Sequence, residues 1–433
     1  MMKNFIFLKI VAISIICMAI FACSRPTPNK QQEGNQEKKS TPAPAAKIIG
    51  KYPLDNPPML SKGIHVAMGS SLLHLPGDPD NIFYSSGDRG PNGKLTVNGE
   101  ERRTFPIPNY TPTVYKIELA KGKINILEEI KLKIPKGSDP ITGNSFITGL
   151  PNFKKFDETP YDEKGKKVLS YDPYGLDTEG LAYNPADKTF WLSEEYRPSL
   201  VQMKKDGTLM QRVVPSGMES KFKNAPLIPI KASLPSVLTK RMDNRGFEGM
   251  TITPDGRYLF TMTQSALSNP GENSRAVRIL KINLKNLKVI AEYAYISVNG
   301  QDLGFDQKDI GVSDLYAINE NSLLVDERDS EIGKKAKLKK IYKINFQGAT
   351  NILGKDKYKG KTLEQMNTND LKAAGIKPVA KKEVLNLLNF DYPYEKDEGI
   401  SLVHGHKLAI INDNDFGVED TNTKTELWLF RLP

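Results

Sequence analysis

One hairpin is written three times in this chain, and that repeat constrains the fold more than any single motif. Asp177-Thr178-Glu179-Gly180-Leu181-Ala182-Tyr183 leads through a turn at Asn184-Pro185-Ala186-Asp187 into Thr189-Phe190-Trp191-Leu192-Ser193-Glu194-Glu195. Residues 246–265 repeat it as Gly246-Phe247-Glu248-Gly249-Met250, a Pro254-Asp255-Gly256 turn, and Tyr258 to Ser265. Residues 397–415 do so again from Asp397-Glu398-Gly399-Ile400-Ser401 to Asn412-Asp413-Asn414-Asp415. In each, an acid and a glycine open an apolar strand, turn residues follow, and the second strand ends on polar groups.

Two looser copies extend the series. One runs from Met68-Gly69-Ser70-Ser71 through Pro76-Gly77-Asp78 to Gly87-Asp88-Arg89. The other runs from Val312-Ser313-Asp314-Leu315 through Asn319-Glu320-Asn321 to Asp326-Glu327-Arg328. Most copies are followed by further strands of alternating character, such as Val114-Tyr115-Lys116-Ile117, Leu280-Lys281-Ile282 and Ile341-Tyr342-Lys343-Ile344. The fourth unit is expected to end on a strand at 349–353. Four antiparallel strands per repeat predict an all-β chain, a β-propeller of four-stranded blades. Five units are visible, and a sixth would have to come from 136–175 or 215–245. The last unit stops after three strands, and Gly63-Ile64-His65-Val66-Ala67 is the expected donor of the closing strand. Residues 362–375 read as a short helix in an insertion.

The first 22 residues read as a signal peptide. Lys3 and Lys9 precede or flank an apolar run, Ile10 to Phe21, that is short for a membrane span. Ile20-Phe21-Ala22-Cys23 then matches a bacterial lipobox, which makes Cys23 the acylation site. Cys17 lies inside the signal, so Cys23 is the sole mature thiol, disulfides are excluded, and a thiol nucleophile is not expected. Residues 23–46 are polar and proline-rich, as a flexible tether would be, and 47–433 form the propeller domain. The expected location is the bacterial cell envelope, lipid-anchored to a membrane. The formal charge of +10 falls to +8 without Lys3 and Lys9. No aromatic-basic motif accompanies it, so nucleic acid is not an expected partner. An anionic small molecule or an anionic membrane surface suits that charge, and a monomer is expected.

In an antiparallel hairpin the start of the first strand and the end of the second share one edge. Applied to all units, this gathers Asp177, Glu179, Glu248, Asp314, Asp397 and Glu398 with Asp88, Glu194, Glu195, Asp326, Glu327, Asp413 and Asp415 on one face. Arg89, Arg197, Arg245 and Arg328 accompany them. Carboxylates at that density repel unless cations intervene, and hard oxygen ligands suit Ca²⁺ better than zinc or copper. Competing chemistries lack their signatures: there is no Gly-x-Ser-x-Gly elbow, P-loop or Gly-x-Gly-x-x-Gly. Of the four histidines, His404 and His406 flank Gly405 at a hairpin tip, on the face opposite the acids.

The Asp177-Thr178-Glu179-Gly180-Leu181, Arg245-Gly246-Phe247-Glu248-Gly249-Met250 and Asp397-Glu398-Gly399-Ile400 segments, with Ser193-Glu194-Glu195 and Asn412-Asp413-Asn414-Asp415 at strand ends, resemble the phytase-like, "esterase-like activity of phytase" family of bacterial exported proteins. The resemblance covers about Lys62 to Leu432. It implies a propeller with acids around one mouth, by analogy with calcium-dependent phytases. Gly69-Ser70-Ser71 and Gln264-Ser265 depart from the pattern where acids would stand. The expected function is Ca²⁺-dependent hydrolysis of phosphate or carboxylate esters. Glu179, Glu248, Asp314 and Glu398 are the expected metal ligands, and Glu195, Glu327 and Asp413 complete the shell or act as general base. Arg89, Arg197, Arg245 and Arg328 are expected to neutralise an anionic substrate. A non-catalytic propeller that binds a ligand or partner protein at the envelope is the alternative, and a lactonase-like propeller is a third reading.

Overall fold

The computed structural model describes residues 46–271, 273–418 and 424–433. The expectations for the signal peptide and Cys23 lie outside the described residues. The described chain is all-β, built mainly from antiparallel sheets in a β-propeller-type arrangement.

Sheet one comprises Ile82–Ser86, Thr113–Ala120 and Lys123–Lys131, and Leu73 bridges to Tyr84 beside it. Sheet two runs through Thr178–Asn184, Thr189–Glu194, Ser199–Met203 and Leu209–Pro215, with Ile230–Leu234 added in parallel. Sheet three is Phe247–Ile252, Tyr258–Thr263, Ala276–Asn283 and Lys288–Ile296. Sheet four is Ile310–Asn319, Ser322–Asp329, Lys339–Asn345 and Ala380–Asn386. Sheet five is Lys396–Val403, Lys407–Asp413 and Glu426–Arg431, with Lys47–Pro53 on its outer edge. A small separate sheet joins Gly93–Val97, Glu100–Thr104 and Pro160–Tyr161.

The Glu-Gly pair explains how the first strands come together. A Cβ on Gly180 would stand 2.6 Å from the Met250 amide nitrogen; one on Gly249, 2.8 Å from the Asp314 backbone; one on Gly399, 2.6 Å from the Ser71 carbonyl carbon. Only glycine lets the neighbouring backbones approach this closely. Each first strand also slips register at this place: between Thr178 and Leu181, Phe247 and Met250, Val312 and Leu315, and Asp397 and Gly399. A bulge bends the strand and re-aims its side chains. Here it does so at the acid in four sheets.

Apolar side chains fill each gap between neighbouring sheets in turn. Leu192 and Val114 pack between sheets one and two, Trp191 and Leu280 between two and three, and Phe260 and Leu323 between three and four. Ile341 and Trp428 lie between four and five, and Phe83 and Ile411 between five and one, completing the cycle. Leu72, Leu181, Met250, Leu315 and Ile400, one from each unit, line a cavity of about 90 Å³ together with His74, Thr251 and Thr253.

Several expectations change. The strand that completes sheet five is Lys47–Pro53, whose Lys47 pairs with Arg431 and Pro53 with Glu426. Within the expected donor, only Ile64–His65 is strand. Lys62 and Gly63 adopt positive φ (38° and 85°), folding that strand back on Met59–Ser61 as a small ribbon. The fourth strand of sheet four is Ala380–Asn386, because 349–353 leaves the sheet: Gly348 turns at φ 78°, and Asn351 binds the Glu292 amide of sheet three. The expected insertion helix is Thr368–Ala373, capped by Asn367. Neither 136–175 nor 215–245 makes another four-stranded sheet.

The closing strand is held by more than backbone pairing, since the Lys51 ammonium sits 3.3 Å from the centre of the Trp428 ring. Deleting residues 1–53 should lower Tm by at least ~5 °C relative to deleting 1–45, as read by thermal denaturation followed with circular dichroism.

Candidate functional site: an acidic mouth

A bulged strand start at Asp177 and Glu179 and the ends of second strands at Glu195, Asp88, Asp413 and Asp415 supply two groups of carboxylates. In the first, ligating oxygens of Asp177, Glu179 and Glu195 all lie within 4.8 Å of one another. Glu248 faces this group across the seam between sheets two and three: the Gln264 amide donates to its Oε1 at 2.9 Å, and its Oε2 is buried without a partner. In the second, Asp88, Asp413 and Asp415 lie within the same 4.8 Å limit. Asp88 accepts from the Gly90 amide at 2.7 Å, and Asp413 from the Ser70 hydroxyl at 3.3 Å and the Asp415 amide at 3.0 Å.

Burial and mutual repulsion keep most of these acids reluctant to ionise. Burial, reinforced by Glu248 and Asp177, pushes Glu179 well above the usual carboxylate range, and burial with Asp177 and Glu248 does the same to Glu195. Burial raises Glu248 to about 8, Asp413 to about 7 and Asp177 to about 6. Asp88 rises well above its ordinary value through burial and the nearby Asp413. Asp415 is the exception: burial works to raise it, but the Lys396 ammonium at 2.7 Å holds it below the ordinary value.

The basic residues divide. Arg328 donates to Glu398 at 2.5 Å and to the Ser313 hydroxyl at 2.9 Å. Arg89 contacts Glu158 at 2.6 Å, Asn244 at 2.7 Å and Asp177 at 3.0 Å, so it clamps one wall of the mouth. Arg245 feels Glu195 and Glu248 electrostatically, and burial lowers its proton affinity. Arg197 stands apart, bound to Asp157 at 2.5 Å, with Glu194, Arg241 and Arg212 as its other charged neighbours.

Two expected site residues are committed elsewhere. Both oxygens of Asp314 accept backbone amides, from Leu315 at 2.7 Å and from Ile400 at 2.9 Å, so this carboxylate clips sheet four to sheet five. Glu327 accepts from Tyr295 at 2.5 Å, from the Val298 amide and from Lys381. Successive residues of a strand point to opposite faces: Asp326 faces the Asp314 and Asp397 side, and Glu327 the seam with sheet three. Glu194, adjacent to Glu195, is likewise consumed by Tyr196, Arg197, Ser199 and Arg212.

Other members escape a reading based on strand ends. Lys396 lies 3.9 Å from Glu398 and 4.0 Å from Asp413, and its place two residues before Glu398 was the available signal. Glu158 arrives from a loop without repeat character. Gln264, a departure from the acidic pattern, proves to be the donor that fixes Glu248.

An all-oxygen donor set fits a hard divalent ion. In the first group Arg89 is paired to Asp177, whereas among the described residues no Lys or Arg forms an ion pair with Glu179, Glu195 or Glu248. A propeller-type β-protein with an acidic mouth is the class these features define.

The phytase-like family described as "esterase-like activity of phytase" matches residues 70–416, and the chain belongs to that family. An "Uncharacterized secreted protein" of Arthroderma benhamiae is 25% identical over 313 residues, covering 63% of this chain; the match spans only 59% of that relative's length. Among solved structures, the PQQ-bound aldose sugar dehydrogenase of Streptomyces coelicolor aligns over 90% of this chain and 98% of its own at 13% identity, with a TM-score of 0.39. A luciferin-regenerating enzyme aligns over 90% and 95% at 10% identity, with a TM-score of 0.36.

Asp326 and Asp397 form a fully buried pair to which, among the described residues, no other side chain donates a hydrogen bond; Lys339 is 3.8 Å from Asp397. Burial first, and then Asp397, pushes Asp326 well above the carboxylate range, the behaviour expected of two buried carboxyls that share a proton. Groups raised in this way bind more protons folded than unfolded, so they add stability below the unfolded pKa and lose it as pH rises through the folded value. In chelator, Tm should therefore fall between pH 5 and pH 8, the range spanned by Asp177 and Asp397 at about 6, Asp413 at about 7 and Glu248 at about 8. Asp326→Asn, which supplies a permanent donor to Asp397, should raise Tm by roughly 3 °C at pH 8 and leave it unchanged at pH 5. Equal shifts at both pH values would contradict the shared proton.

Proposed function

We propose that this chain is a Ca²⁺-dependent hydrolase of phosphate or carboxylate esters that works at the acidic mouth of a closed five-bladed propeller. The observation that carries this reading is the group Asp177, Glu179 and Glu195, with the partnerless Glu248 oxygen turned toward it. Those four residues would hold the ion; Asp177 replaces Asp314 in the set expected from sequence, and Glu398 serves instead to orient Arg328. A bound Ca²⁺ supplies positive charge that polarises an ester oxygen and eases deprotonation of water.

The remaining roles belong to the chain's own side chains. Asp413, raised to about 7 by burial, is matched to proton transfer near neutral pH and takes the general-base role. Arg245 and Arg328 bind the anionic part of the substrate, through guanidinium groups that suit phosphate and carboxylate. Arg89 holds Asp177 and Glu158 in place. Arg197 and Glu327 take no part.

The lipobox-like Ile20-Phe21-Ala22-Cys23 supports anchoring to the cell envelope through Cys23. Wild-type protein expressed in a bacterial host should pellet with membranes and incorporate labelled palmitate. Cys23→Ala should do neither, and a variant that still incorporates label would reject Cys23 as the acylation site.

Millimolar Ca²⁺ should raise Tm by several degrees, and Glu179→Gln or Glu248→Gln should abolish that rise. Ester cleavage in a phosphatase and esterase panel should be lost in EDTA, restored by Ca²⁺, and reduced at least ~10²-fold by Asp413→Asn. A Tm indifferent to Ca²⁺, with no turnover of any ester, would reject the proposal.

A further inference from the structure

The two carboxylate groups of the mouth look alike as donor sets but differ in what already stands beside them. Around Asp177, Glu179 and Glu195, the sole ion pair among the described residues is that of Arg89 with Asp177; Arg241 and Arg245 act on Glu195 only through space. The second group has an ammonium against two of its three members: Lys396 Nζ lies 2.7 Å from Asp415 and 4.0 Å from Asp413, and 3.9 Å from the neighbouring Glu398. Lys396 opens the first strand of sheet five, and Asp413 closes the second, so the pairing of Lys396 with Asp413 across the ladder fixes the ammonium among the acids. Asp415 is presented by an irregular turn in which Asp415, Phe416 and Gly417 all have positive φ (48°, 57° and 65°).

We propose that Lys396 is the resident cation of the Asp88–Asp413–Asp415 group, and that it restricts the mouth to a single divalent ion at Asp177–Glu179–Glu195. The inference deepens the functional reading above and rests on it for the identity of the ion. The physical argument is competition for one space. A divalent ion requires carboxylate oxygens at about 2.3–2.6 Å. An ammonium ion-paired to Asp415 and 4.0 Å from Asp413 takes up two of the three carboxylates such an ion would need, and cancels part of the field that would draw it in. The lysine is covalently fixed, so it neutralises the acids at every calcium concentration and cannot be removed by a chelator.

The consequence for chemistry is an asymmetric mouth. One side carries a removable divalent ion, and the other carries a permanent single charge beside Asp413. With the ammonium this near, Asp413 stays free to exchange a proton instead of serving as a metal ligand.

The test is calcium stoichiometry, measured by isothermal titration on the full chain and on Lys396→Met and Lys396→Arg. Wild type and Lys396→Arg should each bind one Ca²⁺, and Lys396→Met should bind two. The extra ion should disappear again in Lys396→Met/Asp88→Asn. Two ions in wild type would overturn the proposal, as would one ion in a Lys396→Met protein whose circular dichroism is native. If wild type binds none and Lys396→Met binds one, the role of Lys396 stands and the assignment of the first group fails. Zero in both would overturn both.

Discussion

Backbone-to-backbone contact at three glycines is the constraint on which the molecule depends. Where Gly180 meets Met250, Gly249 meets Asp314 and Gly399 meets Ser71, the first strands of neighbouring sheets are as close as peptide units can come. A side chain at any of them would wedge two sheets apart. Because the seams follow one another in a cycle, the displacement would pass to the next seam. The same approach dictates the bulges, and the bulges turn the adjoining acids onto one face. Fold and site are therefore fixed by one dipeptide: glycine lets the ring form, and the acid before it lines the mouth.

What separates a structural acid from a ligand-binding one here is the supply of donors. Asp314 and Glu194 are as buried as Glu179, yet backbone amides, a hydroxyl or an arginine saturate their oxygens. Glu327 finds a tyrosine, an amide and a lysine. These contacts satisfy the buried oxygens, and the acid becomes part of the frame. Among the described residues, Glu179, Glu195 and one oxygen of Glu248 receive no hydrogen bond, although Arg89 and Arg241 act on Glu195 through space. Burying them costs stability unless a proton or a cation comes, which is a common signature of a site held ready for a ligand.

The hairpin repeat made the architecture legible, because turn residues and strand alternation act locally and leave their mark in every copy. It also brought Glu179, Glu195, Glu248 and Asp413 to one face without reference to coordinates. It misplaced Glu327, since a run of adjacent acids does not say which member faces inward until the register is known. It overvalued Asp314, since a carboxylate that accepts amides from the next sheet looks, in sequence, like one that awaits a metal. Lys396 and Glu158 were passed over for a different reason. One is a basic residue in a pattern defined by acids, and the other comes from a loop whose path depends on the assembled sheets. The closing strand was misassigned because the tight turn at Lys62-Gly63 diverts the nearer candidate, leaving Lys47–Pro53 to pair with the C-terminal strand.

That pairing gives the chain a direction of assembly. Sheets two, three and four each use a continuous run of sequence, so each can form as soon as its own segment is available. Sheet five cannot, because its outermost strand begins at Lys47 and the strand it pairs with ends at Arg431. Nearly the whole chain must be present before this ladder forms, and its loop-closure entropy is correspondingly large unless the other sheets have already brought the ends together. The ring is therefore a late event by construction. Until it closes, the last three strands present an open edge, the state in which a nascent chain of this kind is most exposed to pairing with another copy of itself.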